Sequence, residues 1–320
     1  MSAVHVVIPA FNEVDNLVLL IPEVVQRLAE ISDEDHVDPG RIWIVDDGST
    51  DATNEAVAVL QRNFPVIEYV RLNKNQGKAA ALQRGFTCAL DQGASIVVMM
   101  DADGQDDPSE LRRLIAELHA GQDLVTGARL TRQDRFIKRS TSKVYNRVTG
   151  VMSGAPGQDF NSGFKAMTAE TASDITPMLY GELHRYITVM AHWLGYRVTE
   201  IAVDHHERMH GSTKYGINRF WRGFMDLLTV RFLMSYEYRP SHLFGGLGLL
   251  SFAIGSLMLA LLLVERLTGQ TVGDRPMLIA GVLLVVVGLQ LFLFGLLAEL
   301  IVYSRQQSIQ QQSPAGRTID

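Results

Sequence analysis

Val97-Val98-Met99-Met100-Asp101-Ala102-Asp103-Gly104-Gln105-Asp106-Asp107-Pro108 decides how the rest of this chain is read. An apolar run of the length of a buried strand stops abruptly at Asp101. A short continuous apolar run reads as a buried strand, and carboxylates are almost never fully buried unless paired. The two aspartates are therefore expected just past the strand's end, at the rim of a sheet. In open α/β sheets that carboxyl edge is where ligands bind. Two carboxylates flanking one small residue suit a hard divalent cation, since Mg²⁺ takes one or two carboxylates plus substrate phosphates. A bare D-x-D is more often a solvated acidic turn. What reverses that reading here is the pattern on either side.

Upstream, the spacing predicts a strand over Val4 to Ala10, closed by Pro9-Ala10-Phe11-Asn12-Glu13. A helix from about Glu13 to Ile31 follows, with Leu17, Leu20, Ile21, Val24, Val25 and Leu28 in helical register. An acidic loop, Ser32 to Gly40, leads to a second strand, Arg41 to Val45, ending in Asp46-Asp47-Gly48-Ser49-Thr50-Asp51. Ser49 or Asp51 can cap the next helix, to about Asn63. Val66 to Leu72 reads as a third strand, and a helix opens near Lys78 and runs through Leu90. Downstream of Pro108 come a helix to about Ala120 and a fifth strand, Leu124 to Gly127, with Arg129 just beyond it. Strands alternating with helices of this length imply βαβ units and a mainly parallel α/β sheet. Asn12 and Glu13, Asp46 and Asp47, Lys78, Asp101 and Asp103, then Arg129 all fall at strand ends, which folding brings to one edge. Polar residues at every strand end read as a site.

From 129 to 157 the sequence is basic and loosely helical, with Arg129, Arg132, Arg135, Lys138, Arg139, Lys143 and Arg147. This suits either a solvated helix face or an anion-binding wall. Asp159 to Lys165 reads as a turn entering a strand, Glu182 to Leu194 as helix, and Arg197 to His205 as strand. Arg208 and Lys214 bracket a Gly-containing loop that reads as a basic flap. From Asn218 to Arg239, aromatic and aliphatic residues interleave with Arg219, Arg222, Arg231 and Arg239, a mixture suited to a helix lying among lipid headgroups. Then Pro240 to Val264 and Pro276 to Ala298 carry no Asp, Glu, Lys or Arg. Each exceeds the roughly 20 apolar residues that span a bilayer, so two transmembrane helices are expected. Gly245, Gly246, Gly248 and Gly255 read as a helix-packing face, which suits a homo-oligomer as well. Arginines cluster before the first span, so the positive-inside bias places the large domain and the tail in the cytoplasm. The Gln-rich tail after Arg305 is expected to be disordered.

The net charge of −6 argues against a nucleic-acid surface. A single cysteine, Cys88, excludes an intrachain disulfide. Val4 to Ile8 is too short for a signal-peptide core. One edge thus offers carboxylates for a metal that would in turn meet a diphosphate, and Asp46 and Asp47 could hold a nucleoside. Basic residues await a second, anionic substrate, and the membrane spans make that substrate a lipid.

The motifs Pro9-Ala10-Phe11-Asn12-Glu13, Asp46-Asp47-Gly48-Ser49-x-Asp51, Asn75-x-Gly77-Lys78 and Asp101-Ala102-Asp103-x-Gln105-x-x-Pro108 stand in order. Gly127-x-Arg129, Ser162-Gly163-Phe164 and Arg208-x-x-Gly211 through Lys214-Tyr215 continue the series. Together, over roughly residues 4 to 216, they resemble the family 2 glycosyltransferases of GT-A fold. Within these they resemble the polyprenyl-phosphate group of dolichyl-phosphate mannose synthase and the bacterial GtrB-like enzymes, whose bacterial members share the two C-terminal spans. The resemblance implies a GT-A domain over 1–216, an amphipathic juxtamembrane helix over 217–239, a two-helix membrane domain over 240–304 and a disordered tail over 305–320. It implies inverting transfer from a nucleotide sugar, a UDP-hexose first and GDP-mannose as the alternative, to a polyprenyl phosphate on the cytoplasmic membrane face. Pro9, Asn12, Glu13, Asp46, Asp47, Lys78, Asp101 and Ala102 would bind the nucleotide sugar. Asp101, Asp103 and Gln105 would hold Mg²⁺ or Mn²⁺. Arg129, Arg139, Arg208 and Lys214 would receive the lipid phosphate, with Arg135 the alternative to Arg139. Asp101, Asp103, Arg129 and Asp159 would form the catalytic set, with Asp159 as a base the secondary reading. A phosphate monoester is already largely dianionic near neutrality, its second pKa being about 6, so no strong base is expected. A processive polysaccharide synthase would carry a Q-x-x-R-W element, which this sequence lacks. A membrane-anchored sensor or scaffold would not need the metal carboxylates, and all are present. A flippase is disfavoured by two spans alone.

Overall fold

The alternation of apolar strand runs and amphipathic helices forms as the spacing predicts. The computed structural model describes residues 3–35, 38, 40–129, 146, 147, 149, 150, 153–206, 240–269 and 276–312. The chain divides into two units, Met1–Arg231 and Phe232–Asp320.

In the first unit, β1 (Val4–Ala10), β2 (Ile42–Asp46), β3 (Ile67–Arg71) and β4 (Ile96–Met99) alternate with α1 (Val14–Asp35), α2 (Thr53–Asn63) and α3 (Lys78–Asp91). A 3₁₀ turn at Pro108–Glu110 leads into α4 (Leu111–His119), followed by β5 (Leu124–Ala128) and β6 (Lys165–Thr168). Then come α5 (Ala169–Ile175), α6 (Ile187–Trp193) and β7 (Val198–Ala202). The order across the seven-stranded sheet is β3-β2-β1-β4-β6-β5-β7. The chain steps one way from β1 to β2 and β3, then returns to β4 on the other side of β1, both neighbours being parallel to it. The crevice beyond β1 and β4 is therefore a topological switch point, where open sheets bind ligands.

β6 runs antiparallel to both β4 and β5. The sequence predicts a mainly parallel sheet, and the antiparallel strand between β4 and β5 has a consequence. An antiparallel strand starts at the edge where its neighbours end, so the turn before β6 arrives beside Asp101. The predicted apolar face of α1 is buried, with Leu17, Ile21 and Val24 at 0% exposure. Helix α1 runs to Asp35, and Ser32 to Asp35 continue its last turns rather than opening the expected loop. Helix α5 was not anticipated; Thr168 caps it by accepting from the Thr171 amide at 3.3 Å.

The described residues of the second unit form a pair of helices, α7 (Pro240–Leu267) and α8 (Pro276–Gln312). Phe244–Leu267 and Pro276–Val302 are each long and apolar enough to cross a membrane. Leu249, Leu250, Leu257, Leu263 and Leu293 are more than half exposed, an arrangement suited to lipid rather than to a soluble core. The helices touch through glycine. A Cβ on Gly248 would meet the Gly288 carbonyl oxygen at 2.7 Å, and one on Gly255 the Gly281 oxygen at 2.7 Å. Gly246, assigned to the packing face from sequence, faces open space instead. The Ser251 hydroxyl donates to the Leu284 carbonyl at 3.0 Å, and Glu299 accepts the Ser241 amide at 3.3 Å, at the start of α7. Helix α8 continues past Arg305 to Gln312, where the sequence predicted a disordered tail. Glutamines are good helix formers, and a long apolar helix already nucleated extends through them readily. The juxtamembrane stretch expected over 217–239 lies outside the described residues.

Candidate active site

At the carboxyl ends of β1 and β4, Pro9, Ala10, Phe11, Glu13, Asp47, Lys78, Ala81, Asp101, Ala102 and Asp103 line one cleft of about 180 Å³. A whole drug-sized ligand needs about 300–1,000 Å³, so this cleft takes a smaller charged group or one part of a larger ligand. A wider groove of about 480 Å³ lies between α3 and the Thr176–Met178 turn. Of the positions the sequence singled out, none lines it, and it offers no carboxylate.

Hydrogen bonds pin the loops around the cleft to one another. Asn12 takes a positive φ of 55°. Its amide donates to Ser49 Oγ at 2.9 Å, and its side-chain oxygen accepts the Thr50 amide at 2.8 Å. Asn tolerates this left-handed conformation better than most residues. Asn12 thus locks the β1–α1 turn to the β2–α2 turn. Asp47 accepts the Gln76 and Gly77 amides at 2.7 and 2.8 Å, which fixes the loop leading to Lys78. Gly77 there has φ +93°, a conformation that favours glycine.

Asp46 is placed differently from the sequence expectation. It is fully buried, and both oxygens are engaged. Oδ1 accepts the Ser49 amide at 2.7 Å, while Oδ2 accepts the Tyr69 hydroxyl at 2.6 Å and lies 3.5 Å from Arg71 Nε. Burial and the Asp46 carboxylate together push the Tyr69 hydroxyl well above its ordinary pKa, so it stays a donor. Tyr69 and Arg71 carried no motif that would have marked them.

Asp101 forms an ion pair with Lys78, the first residue of α3. Burial would raise the Asp101 carboxyl, but Lys78, Arg129 and His184 outweigh it and hold the group below the usual carboxylate range. Asp103 accepts the Gln105 amide at 3.2 Å. Asp106 is buried, accepts the Asp101 amide at 3.4 Å and faces His205 Nδ1 at 3.6 Å. The His206 amide donates to the Gln105 carbonyl at 2.9 Å, and its ring lies 3.2 Å from Asp107. The metal-type loop is therefore strapped to the chain leaving β7. Among the described residues no three His, Cys, Asp or Glu cluster as a ready metal cage. Two carboxylates in one cleft still fit a hard cation that takes its other ligands from a diphosphate and water.

On the far side, Arg129 Nε meets Asp159 Oδ2 at 3.0 Å, both side chains nearly buried at 11% and 8% exposure. Arg129 Nη2 also donates to the Asn161 carbonyl at 3.2 Å. Burial would lower the Arg129 pKa, but Asp159, Asp106 and Asp101 raise it. Glu200 accepts the Gln158 and Asp159 amides at 2.7 and 2.9 Å. Gly163 presses against the Asp101 carboxylate so closely that a Cβ there would overlap it. A glycine, with no Cβ, permits this close approach. Glu200 and His184 join the site from β7 and from the 3₁₀ turn at Leu183–Tyr186, with no sequence signal beyond their charge. Arg135, Arg139, Arg208 and Lys214 lie outside the described residues.

Residues 5–173 match the family model described as "Glycosyl transferase family 2". The chain is 35% identical over 306 residues to a dodecaprenyl-phosphate galacturonate synthase of Rhizobium johnstonii, covering 92% of this chain and 86% of that protein. It is 31% identical over 303 residues to an undecaprenyl-phosphate 4-deoxy-4-formamido-L-arabinose transferase of Edwardsiella ictaluri, covering 93% and 88%. In fold it is similar to a mannosyltransferase from Pyrobaculum calidifontis solved with GDP-Man and Mn²⁺. That match has a TM-score of 0.51 at 16% identity, covering 97% of this chain and 81% of the other.

Proposed function

The chain belongs to glycosyl transferase family 2, and from that premise we propose that it transfers a sugar from a nucleotide sugar to a polyprenyl phosphate. The donor class is a UDP-hexose, and the product is a polyprenyl-phosphate-linked sugar of inverted anomeric configuration. The observation that carries this reading is the extent of the similarity. The galacturonate synthase matches across 92% of the chain, beyond the family model and into the apolar helices, and its name couples dodecaprenyl phosphate to galacturonate.

Asp101 and Asp103, with Gln105, would hold Mg²⁺ or Mn²⁺, which supplies Lewis-acid stabilisation of the departing nucleoside diphosphate. Lys78 stands at the N-terminus of α3, where exposed helix amides and the dipole already favour anions; it holds the diphosphate. Asp47 and Asn12 keep the loops that meet the nucleotide in place. Arg129, with Arg135, Arg139, Arg208 and Lys214, receives the acceptor phosphate. Attack by that phosphate oxygen forms the new bond at the anomeric carbon as the bond to the nucleoside diphosphate breaks. The acceptor needs no strong base, since it arrives as a near-dianion. Asp159 therefore orients Arg129, a role that its 3.0 Å ion pair supports over proton abstraction. The catalytic region ends near residue 216 and faces the cytoplasm, with 217–239 at the membrane surface and the hairpin from 240 across the bilayer. The glycine-rich hairpin is compatible with a homo-oligomer.

The test is transfer by purified protein in detergent, with Mg²⁺ or Mn²⁺, a short polyprenyl phosphate and labelled UDP- and GDP-sugars that include uronates and aminopentoses. Label entering the lipid phase from one donor, and lost in Asp103→Ala, is the expected result and names the sugar. Transfer from GDP-mannose alone would replace the UDP-hexose assignment. No transfer from any donor would refute the acceptor.

A further inference from the structure

Lys165 opens β6, in register with Met99 on β4 and Thr126 on β5, and its side chain has no solvent exposure. Lysine is among the residues least often found fully buried, and an uncompensated buried ammonium is costly. An apolar side chain would fill this core position without that cost. The ammonium's partners here are main-chain atoms. Nζ donates to the Ser162 carbonyl at 2.7 Å and to the Phe160 carbonyl at 3.3 Å. Both belong to the turn between Asp159 and Gly163. That turn faces the site in two directions. Through Asp159 and the Asn161 carbonyl it holds the Arg129 guanidinium, and through Gly163 it packs on the Asp101 carboxylate. Glu200 anchors the turn's other end by its two amide contacts.

We propose that Lys165 is a positioning residue of the transfer reaction, clamping the 160–162 turn from inside the sheet so that Arg129–Asp159 and Asp101 keep their mutual geometry. The clamp extends the glycosyl-transfer reading above and rests on it for its catalytic consequence. The charged groups facing it are Asp159, Arg129, Lys78 and Glu200. Burial first, then the repulsion of Arg129 and Lys78, draws the ammonium down to about pKa 8 against the opposing pull of Asp159 and Glu200. Lysine here acts without touching donor or acceptor.

The experiment compares wild type with Lys165→Met, which keeps an unbranched side chain as far as Cε but removes the donor. Amide hydrogen exchange over residues 157–164 reads the clamp. Transfer kinetics read its consequence, and binding of nucleoside diphosphate with Mn²⁺ reads the donor half-site. In Lys165→Met we expect exchange in the turn to quicken by about tenfold or more, with the β1 and β2 amides unchanged. kcat/KM for the polyprenyl phosphate should fall about 10- to 100-fold, as the loss of one charge-assisted hydrogen bond implies. Nucleotide affinity should stay within about threefold. Equal exchange in both proteins refutes the clamp, whatever the transfer assay returns. Faster exchange with unchanged kcat/KM refutes the positioning role. If wild type transfers nothing while its turn is protected, the acceptor reading falls and the clamp stands on the exchange data. Should Lys165→Met fail to fold, Glu200→Ala loosens the same turn from its other end. Faster exchange there without loss of kcat/KM likewise overturns the role.

Discussion

Replacing Asp159 by Asn separates two accounts of the acceptor side. Asp159 and Arg129 form a pair that is nearly buried, 3.0 Å between Oδ2 and Nε. Removing one partner of a buried ion pair costs about 3–5 kcal/mol, mostly because a charge is left uncompensated. Asparagine keeps an acceptor oxygen in place, and Arg129 keeps the Asn161 carbonyl at 3.2 Å. The expected loss is therefore smaller, about 2 kcal/mol. For a unit of the size of Met1–Arg231 that lowers the melting temperature by roughly 4–8 °C. Kinetically, a positioning role predicts that the loss appears in the acceptor term. KM for polyprenyl phosphate should rise about tenfold, equivalent to about 1.4 kcal/mol, and kcat should fall by less than that. A general base contributes about 10²- to 10⁴-fold, so its loss would appear in kcat at constant acceptor KM. The assay is initial-rate transfer of label at saturating donor over a range of acceptor concentrations, with thermal melting of the same samples in detergent. A kcat lowered a thousandfold at unchanged acceptor KM, in protein melting near the wild type, would refute the positioning account and establish Asp159 as the base.

Three further outcomes follow from particular contacts. Gly163→Ala should abolish transfer with modest loss of stability, because its Cβ overlaps the Asp101 carboxylate, which Lys78 also holds; wild-type turnover in that variant would show that the turn yields. Lys165 bears on stability as well as turnover. Its folded pKa of about 8 lies below the ordinary 10.5, so the unfolded chain binds more protons between them and stability rises with pH across that window. The contribution is complete above about 10.5 and is lost as pH falls through about 8, a cost of about 3 kcal/mol at neutral pH. Wild type should therefore gain on Lys165→Met in melting experiments between pH 7.5 and pH 10; parallel curves would contradict the buried ammonium. In the hairpin, Gly288→Leu places a side chain against the Phe252 amide at 2.5 Å and the Gly248 carbonyl at 2.7 Å. It should destabilise the helix pair by about 1–3 kcal/mol or more, while Gly246→Ala, with nothing within 4 Å, should melt like wild type in detergent.

The sequence alone was enough to establish the class of the fold, the presence of a carboxylate-rich edge and two helices of membrane length. These depend on local quantities: hydrophobic period, strand-end residues and the length of uncharged runs. Asp101, Asp103, Asp47, Glu13 and Lys78 were legible because βαβ topology sends every strand end to one edge. Only the tertiary structure decided what the neighbours of those residues do. Asp46 was named as a nucleotide contact, yet its oxygens are taken by Ser49 and Tyr69, a pairing set by where β3 lies beside β2. Arg129 was named for a phosphate, and its Nε and Nη2 are already committed to Asp159 and Asn161, some thirty residues away. The antiparallel insertion of β6 between β4 and β5 decided this, because it carries the 159–163 turn to the edge and Lys165 beneath it. Periodicity cannot announce such an insertion: β6 is four residues long, and its place depends on pairing with residues 39 to 72 positions earlier in the chain. Motif spacing records which residues reach an edge, whereas the sheet's order determines which of them meet there and which spend their charge on one another.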